Sequence, residues 1–190
     1  MKSVLALLLL SLSSLSHAHL TVYTGTFAPE VAGATGSGSL YMEYDDDGHT
    51  LFIQADFTGL SGLTNNAHIH CCTAAPNTGT AGVALAQGGL LPGFPLGISG
   101  GSYTRLIDLT QANQYSAAFV TASGGTASGA EQRLIANLTS GNAYFNIHST
   151  TFGGGEIRAF VTAVPEPASQ ALMGAGVAVV ALLARRRRRT

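Results

Sequence analysis

The sequence predicts a mainly all-β single domain with one or two short inserted helices, and three observations carry that expectation. Runs rich in β-branched and aromatic residues recur along the chain, and Gly- or Asp-containing turns separate them. Charged residues make up only 10% of the chain while glycines number 24, the composition of an exported β protein with many turns. Both ends read as addresses, which leaves one domain's worth of sequence between them.

The first address is residues 1–18. Lys2, the short apolar run Val4 to Leu10 and Ser16-His17-Ala18 form the basic region, apolar core and small-residue cleavage site of a secretory signal peptide. The run is too short to span a bilayer as an anchor. Cleavage after Ala18 would expose His19, whose amine and ring form a candidate copper chelate. Export also places Cys71 and Cys72 in an oxidising compartment.

Leu20 to Phe27 alternates β-branched or aromatic residues with small ones and reads as a first strand, followed by a loop over Gly33 to Gly38. Ser39–Tyr44 and Thr50–Phe57 flank Asp45-Asp46-Asp47-Gly48 and predict a hairpin closed by an Asp-Gly turn. Those aspartates lack the distal Glu of a calcium loop, so a solvated turn is expected. Residues 59–64 lead into Ala67-His68-Ile69-His70-Cys71-Cys72-Thr73. A long loop to Gly101, with Pro76, Pro92 and Pro95, precedes a strand over Ser102–Leu109.

Between Gln111 and Leu138 the apolar spacing becomes helical, and the Gly124-Gly125 break predicts two short helices, with Ser128 and Glu131 at capping-box spacing. Ala143–Ser149 and Glu156–Val161, joined by Gly153-Gly154-Gly155, predict a final hairpin.

Between His19 and Val164 three arginines face nine acidic residues, a balance of minus six, and there is no lysine. Phosphate neutralisation needs clustered Lys or Arg, so nucleic acid is not an expected partner, whereas a divalent cation is easily accommodated.

Three strands share one pattern: His68-Ile69-His70, Asn146-Ile147-His148 and Glu156-Ile157-Arg158. Side chains alternate along a strand, so three inward isoleucines would leave His68, His70, Asn146, His148, Glu156 and Arg158 on the opposite face. If the first strand lies beside the others, three imidazoles converge as a candidate copper or zinc site, with Cys71, Cys72 or Glu156 as additional candidate ligands. The blander reading is that the histidines pack at a strand surface while Glu156 and Arg158 form a solvated pair. Adjacent Cys71 and Cys72 leave three options open: a vicinal disulfide, an intermolecular bridge, or ligands. No nucleophile elbow, His-Glu-x-x-His motif or phosphate loop occurs, so no catalytic residue is assigned and a non-enzymatic role is expected. Asn137-Leu138-Thr139 matches a glycosylation acceptor, a short motif that carries little weight by itself.

Ala67-His68-Ile69-His70-Cys71 together with Ala143-Tyr144-Phe145-Asn146-Ile147-His148 and Gly155-Glu156-Ile157-Arg158 resembles the chordin-type CHRD domain, over about Thr21 to Val161. The resemblance implies a Greek-key or immunoglobulin-like β-sandwich of secreted and cell-surface proteins with no established enzymatic activity. It departs at Ala159, where the family often has Gly, and residues 76–101 look like an insertion of a bacterial subgroup. A fainter similarity to Cu,Zn superoxide dismutase covers only His68 to His70 and implies no activity here.

Val164-Pro165-Glu166-Pro167, the apolar run Ala171 to Ala184 and Arg185, Arg186, Arg187, Arg188 and Arg189 resemble a PEP-CTERM sorting signal. An extended Pro-Glu-Pro segment is accessible to a processing enzyme, the apolar helix halts in the inner membrane as a transient anchor, and the arginines stay cytoplasmic. The resemblance implies an exosortase as partner and a mature form at the outer envelope surface or outside the cell. The domains expected are a signal peptide over 1–18, a CHRD domain over 19–163 and a sorting signal over 164–190. The expected function is a structural or interaction module of the envelope or matrix, with exopolysaccharide or other surface proteins as partners. The alternative is an extracellular copper- or zinc-binding domain with a redox role.

Overall fold

The computed structural model describes residues 20–164 and the single positions Gly176 and Arg185. The signal peptide expected over residues 1–18, the candidate chelating His19 and the expected sorting signal beyond Val164 lie outside these residues. Among the described residues no helix is long and apolar enough to cross a membrane.

The strands are β1 (Leu20–Pro29), β2 (Ser37–Asp45), β3 (Thr50–Thr58), β4 (Thr64–Cys71), β5 (Val83–Leu85), β6 (Gly101–Asp108), β7 (Ala143–Ser149) and β8 (Ile157–Ala163). They follow the β-branched and aromatic runs closely; only β5, three residues inside the long loop, has no counterpart among the predicted strands. All pair antiparallel in the order β5-β4-β7-β8-β1-β2-β3-β6.

That continuous sheet turns back on itself. β6 and β7 are five strand positions apart, roughly 24 Å on a flat sheet at about 4.8 Å per strand, yet the rings of Tyr103 and Phe145 lie 6.4 Å apart. The result is a β-sandwich, with β8 as the strand shared by both layers through its pairing to β7 and to β1. Phe145 meets Phe27 edge-on at 5.5 Å and Phe94 at 6.1 Å, so one β7 side chain touches β1, β6 and the long loop. The loop also covers the edge of β4: Leu91 N–H donates to Ala67 O at 3.0 Å and Gly97 N–H to Thr64 O at 2.8 Å. Covering a bare edge removes a template for aggregation.

The β2–β3 hairpin forms where expected: Asp45 pairs with Thr50, and residues 46–49 make the connection. Asp45 Oδ1 accepts from the N–H groups of Asp47 and Gly48 at 3.0 and 2.9 Å, and His49 takes the left-handed conformation (φ 51°). A carboxylate that satisfies two turn amides makes the connection self-sufficient.

The helices are α1 (Ala117–Ala122) and α2 (Ala127–Thr139), after a single 3-10 turn at Ala112–Gln114. The Ser128–Glu131 capping box does not form. Thr126 is the N-cap, accepting from Gly129 N–H at 3.0 Å. Glu131 instead turns to the sheet and is buried, accepting from Tyr44 OH at 2.8 Å and lying 2.9 Å from His49 Nδ1. Tertiary partners outcompete the local cap because a buried carboxylate needs several donors.

Candidate metal centre

β4 and β7 are far apart in sequence and adjacent in the sheet. Their register places His68 opposite Asn146, His70 opposite Tyr144 and Asn66 opposite His148. Ile69, Ile147 and Ile157 are each fully buried in the core, so alternation turns His68, His70, Tyr144, Asn146 and His148 to the other face. One candidate nitrogen from each of His68, His70 and His148 lies within 4.8 Å of the others.

The hydrogen bonds around the rings determine where the lone pairs point. His148 Nδ1 is 3.0 Å from Gly153 O and His70 Nδ1 is 2.9 Å from Ala81 O. A carbonyl can only accept, so these nitrogens carry the protons and both Nε2 atoms keep lone pairs. The near nitrogens of His68 and His148 meet: His68 Nδ1 lies 3.0 Å from His148 Nε2, a hydrogen bond that His148, protonated at Nδ1, accepts and whose proton a bound metal ion would displace. His70 Nε2 is buried without a hydrogen-bond partner. His70 and His148 have their far nitrogens tied to backbone carbonyls and their near ones turned toward His68, the arrangement by which outer partners orient metal-ligating histidines.

Burial pushes the His68 pKa down to about 4, aided by His148 and His70 and opposed by the Gly89 hydrogen bond. His70 is also lowered, first by burial and then by His148, against the raising effect of the Ala81 carbonyl and of Glu30. His68 and His70 therefore stay neutral, the form that binds metal. Two nitrogens about 2.0 to 2.1 Å from one tetrahedral zinc sit roughly 3.3 Å apart. The His68–His148 pair is near that spacing, and His70, stacked on Tyr144 at 4.9 Å, is the ring that must move inward.

The His68 shift fixes a pH dependence. The folded ring has a pKa of about 4 against 6.5 for the free side chain. Between those values the unfolded chain takes up a proton that the folded chain refuses, so stability is fully present above about pH 6.5 and declines as pH falls toward 4. Thermal denaturation across that window should show a falling Tm, and His68→Gln should flatten the decline. An equal slope in the variant would remove His68 as its cause.

Other candidate residues go elsewhere. Cys71 and Cys72 are joined in a disulfide across a cis peptide bond, so neither is a thiolate ligand and neither bridges to another chain. Glu156 is not among the converging ligands. It is fully buried and accepts from Ser61 N–H at 2.6 Å and Ser61 Oγ at 2.7 Å. Burial raises its pKa, but hydrogen bonds from Ser149, Ser61 and Thr35 outweigh burial and hold it below the usual value. It precedes β8, so strand alternation does not govern it.

The expected Glu156–Arg158 pair is likewise absent. Arg158 donates to Gly79 O at 2.7 Å, lies 3.5 Å from Glu30 Oε1, and sits over the rings of Tyr144 and Phe160 at 5.3 and 5.2 Å. Sequence reasoning missed Glu30, whose carboxylate accepts a hydrogen bond from Asn146 Nδ2 beside the triad. A Cβ on Gly155 (φ 127°) would meet Glu30 Oε2 at 2.3 Å and Asn146 Nδ2 at 2.7 Å, so only glycine fits there. Nothing around Pro29-Glu30 signals that position; the β1–β8 pairing creates it.

The family model of the CHRD domain matches residues 17–161, and that of the PEP-CTERM protein-sorting motif matches residues 163–189. No curated protein and no solved structure matches the chain.

Proposed function

This chain belongs to the CHRD domain family and carries a PEP-CTERM sorting motif, and from that premise we propose that it is a surface-displayed domain whose His68–His70–His148 triad holds one copper or zinc ion. The sorting motif marks an exported, membrane-anchored precursor that an exosortase processes for surface export. We read residues 1–18 as the signal peptide, 19–163 as the domain and 164–190 as the sorting signal, with a mature form at the outer envelope surface or released. The observation that carries the metal reading is the unpartnered, buried His70 Nε2 aimed at the facing His68 and His148 nitrogens.

Neutral imidazoles suit copper and zinc, and three protein ligands leave a fourth position for an exogenous ligand. An ion there would tie β4 to β7 and stiffen the loops that supply Ala81 and Gly153. The competing reading is a metal-free structural or interaction module of the envelope or matrix. Metal analysis of the untagged, exported chain separates the two: one copper or zinc per chain is expected, and a sub-stoichiometric content that persists after reconstitution overturns the metal reading.

Sorting has its own test. Replacing Pro165, Glu166 and Pro167 by alanine should retain the precursor in the inner membrane, seen by fractionation. Normal release of that variant would refute exosortase processing at this site.

A further inference from the structure

The metal site occupies one layer of the sandwich; the outward face of the other layer, on β1, β2, β3 and β6, is left bare by every described element. We propose that this face is a docking platform for a neutral polysaccharide. The proposal does not depend on a bound metal, and it rests on surface export only for the place where the glycan is met.

The strand registers align three rows of side chains across the sheet. Thr162, Thr24, Tyr41, Gln54 and Thr104 are consecutive partners over five strands, a line of hydrogen-bonding groups about 19 Å long at about 4.8 Å per strand. Beside it run Glu43, Phe52 and Leu106, and on the other side Ser39, Asp56 and Ser102. Tyr41 and Phe52 pack edge-on at 6.3 Å, and Leu106 is 60% exposed next to them. An open groove reaches the third row, lined by Ser39, Asp56 and Ser102, with glycines at 38 and 101.

A sugar ring offers apolar C–H faces and a rim of hydroxyls that both donate and accept. Phe52, Tyr41 and Leu106 match the faces, because a ring or aliphatic surface left in water gains by covering apolar area. Asp56, Glu43, Gln54 and the threonine hydroxyls match the rim.

The acceptors are already oriented. Tyr41 OH donates to Glu43 Oε2 at 2.8 Å, and Ser102 Oγ and Gln54 Nε2 donate to the two Asp56 oxygens at 2.5 and 3.3 Å. Groups fixed beforehand lose less freedom on binding. Charge narrows the class further. The outward positions of β1, β2, β3 and β6 hold Glu43, Asp45, Asp56 and Asp108 and no Lys or Arg, and on β8, whose Thr162 ends the row, Arg158 is engaged by Gly79 O and Glu30. Acidic polysaccharides and phosphate polymers are repelled by such a field, while an uncharged glycan is not.

The test is electrophoresis of the exported chain through native gels containing a soluble β-glucan, a galactomannan or dextran, with alginate as the polyanion. Retardation by at least one neutral polymer and none by alginate is expected. Phe52→Ala and Asp56→Ala, both on the solvent side, should each abolish it while lowering Tm far less than a core substitution does, and His148→Ala should leave it intact whatever its effect on metal. Failure of all three neutral polymers to retard the chain, or retardation that survives both face variants, overturns the proposal. A concentration-dependent dimer in sedimentation that Leu106→Lys dissolves would overturn it too, by assigning the face to a second copy of the chain.

Discussion

His148→Ala should weaken copper or zinc binding by at least about 100-fold. Loss of an outer partner alone typically costs roughly 10- to 100-fold in metal affinity, and this substitution removes a nitrogen that lies 3.0 Å from its neighbour and is held there by the Gly153 carbonyl. It also leaves His68 and His70 as a two-ligand site with no nearby thiolate to substitute, because Cys71 and Cys72 are spent on each other. Competition against a chromophoric chelator measures the change directly.

His148 is itself buried, so the alanine variant also opens a cavity. His70→Gln is the companion: it keeps a polar side chain beside Tyr144, removes the imidazole, and should lose affinity comparably. Metal that binds only the folded chain raises Tm by mass action, so both variants should lose the metal-dependent part of Tm even where their metal-free Tm is lowered. Wild-type affinity in both would exclude the triad as the site.

Phe145→Ala carries the largest expected cost in stability, about 3 to 5 kcal/mol, the range for deleting a fully buried aromatic side chain. Its ring is fully buried and spans the sandwich, touching Phe27, Phe94 and Tyr103. At roughly 2 to 4 °C per kcal/mol for a domain of this size, Tm should fall by on the order of 10 °C. The same side chain faces away from the triad on the strand that carries His148, so metal affinity should fall less than in His148→Ala. Phe145→Leu should recover most of the stability. A Tm loss of only about 2 °C would mean that the two layers are held together elsewhere.

Glu156 and the cysteines show where local reading stops. Alternation assigned faces well wherever a residue lay inside a regular strand: His68, His70, Tyr144, Asn146 and His148 all lie on the face it gave them. It failed at Glu156, one residue before β8, where Ser61, 95 residues away in sequence, supplies the donors. Capping-box spacing failed at Glu131 for the same reason, since Tyr44 and His49 approach from the sheet. The pairing of Cys71 with Cys72 was one of three open options because spacing is equally consistent with each.

The sequence by itself determined the strand runs, the two helices, the inward isoleucines and the polar faces opposite them, along with the sorting motif. Each is encoded locally, by period-two alternation or by a contiguous motif. Only the tertiary structure decided that β4 lies beside β7, that Ala81 and Gly153 turn the Nε2 atoms of His70 and His148 toward His68, and that Glu30 stands next to Asn146. Alternation tells a side chain which face to take and says nothing about which strand becomes its neighbour. That is set by how the sheet folds over Phe145 to bury its core.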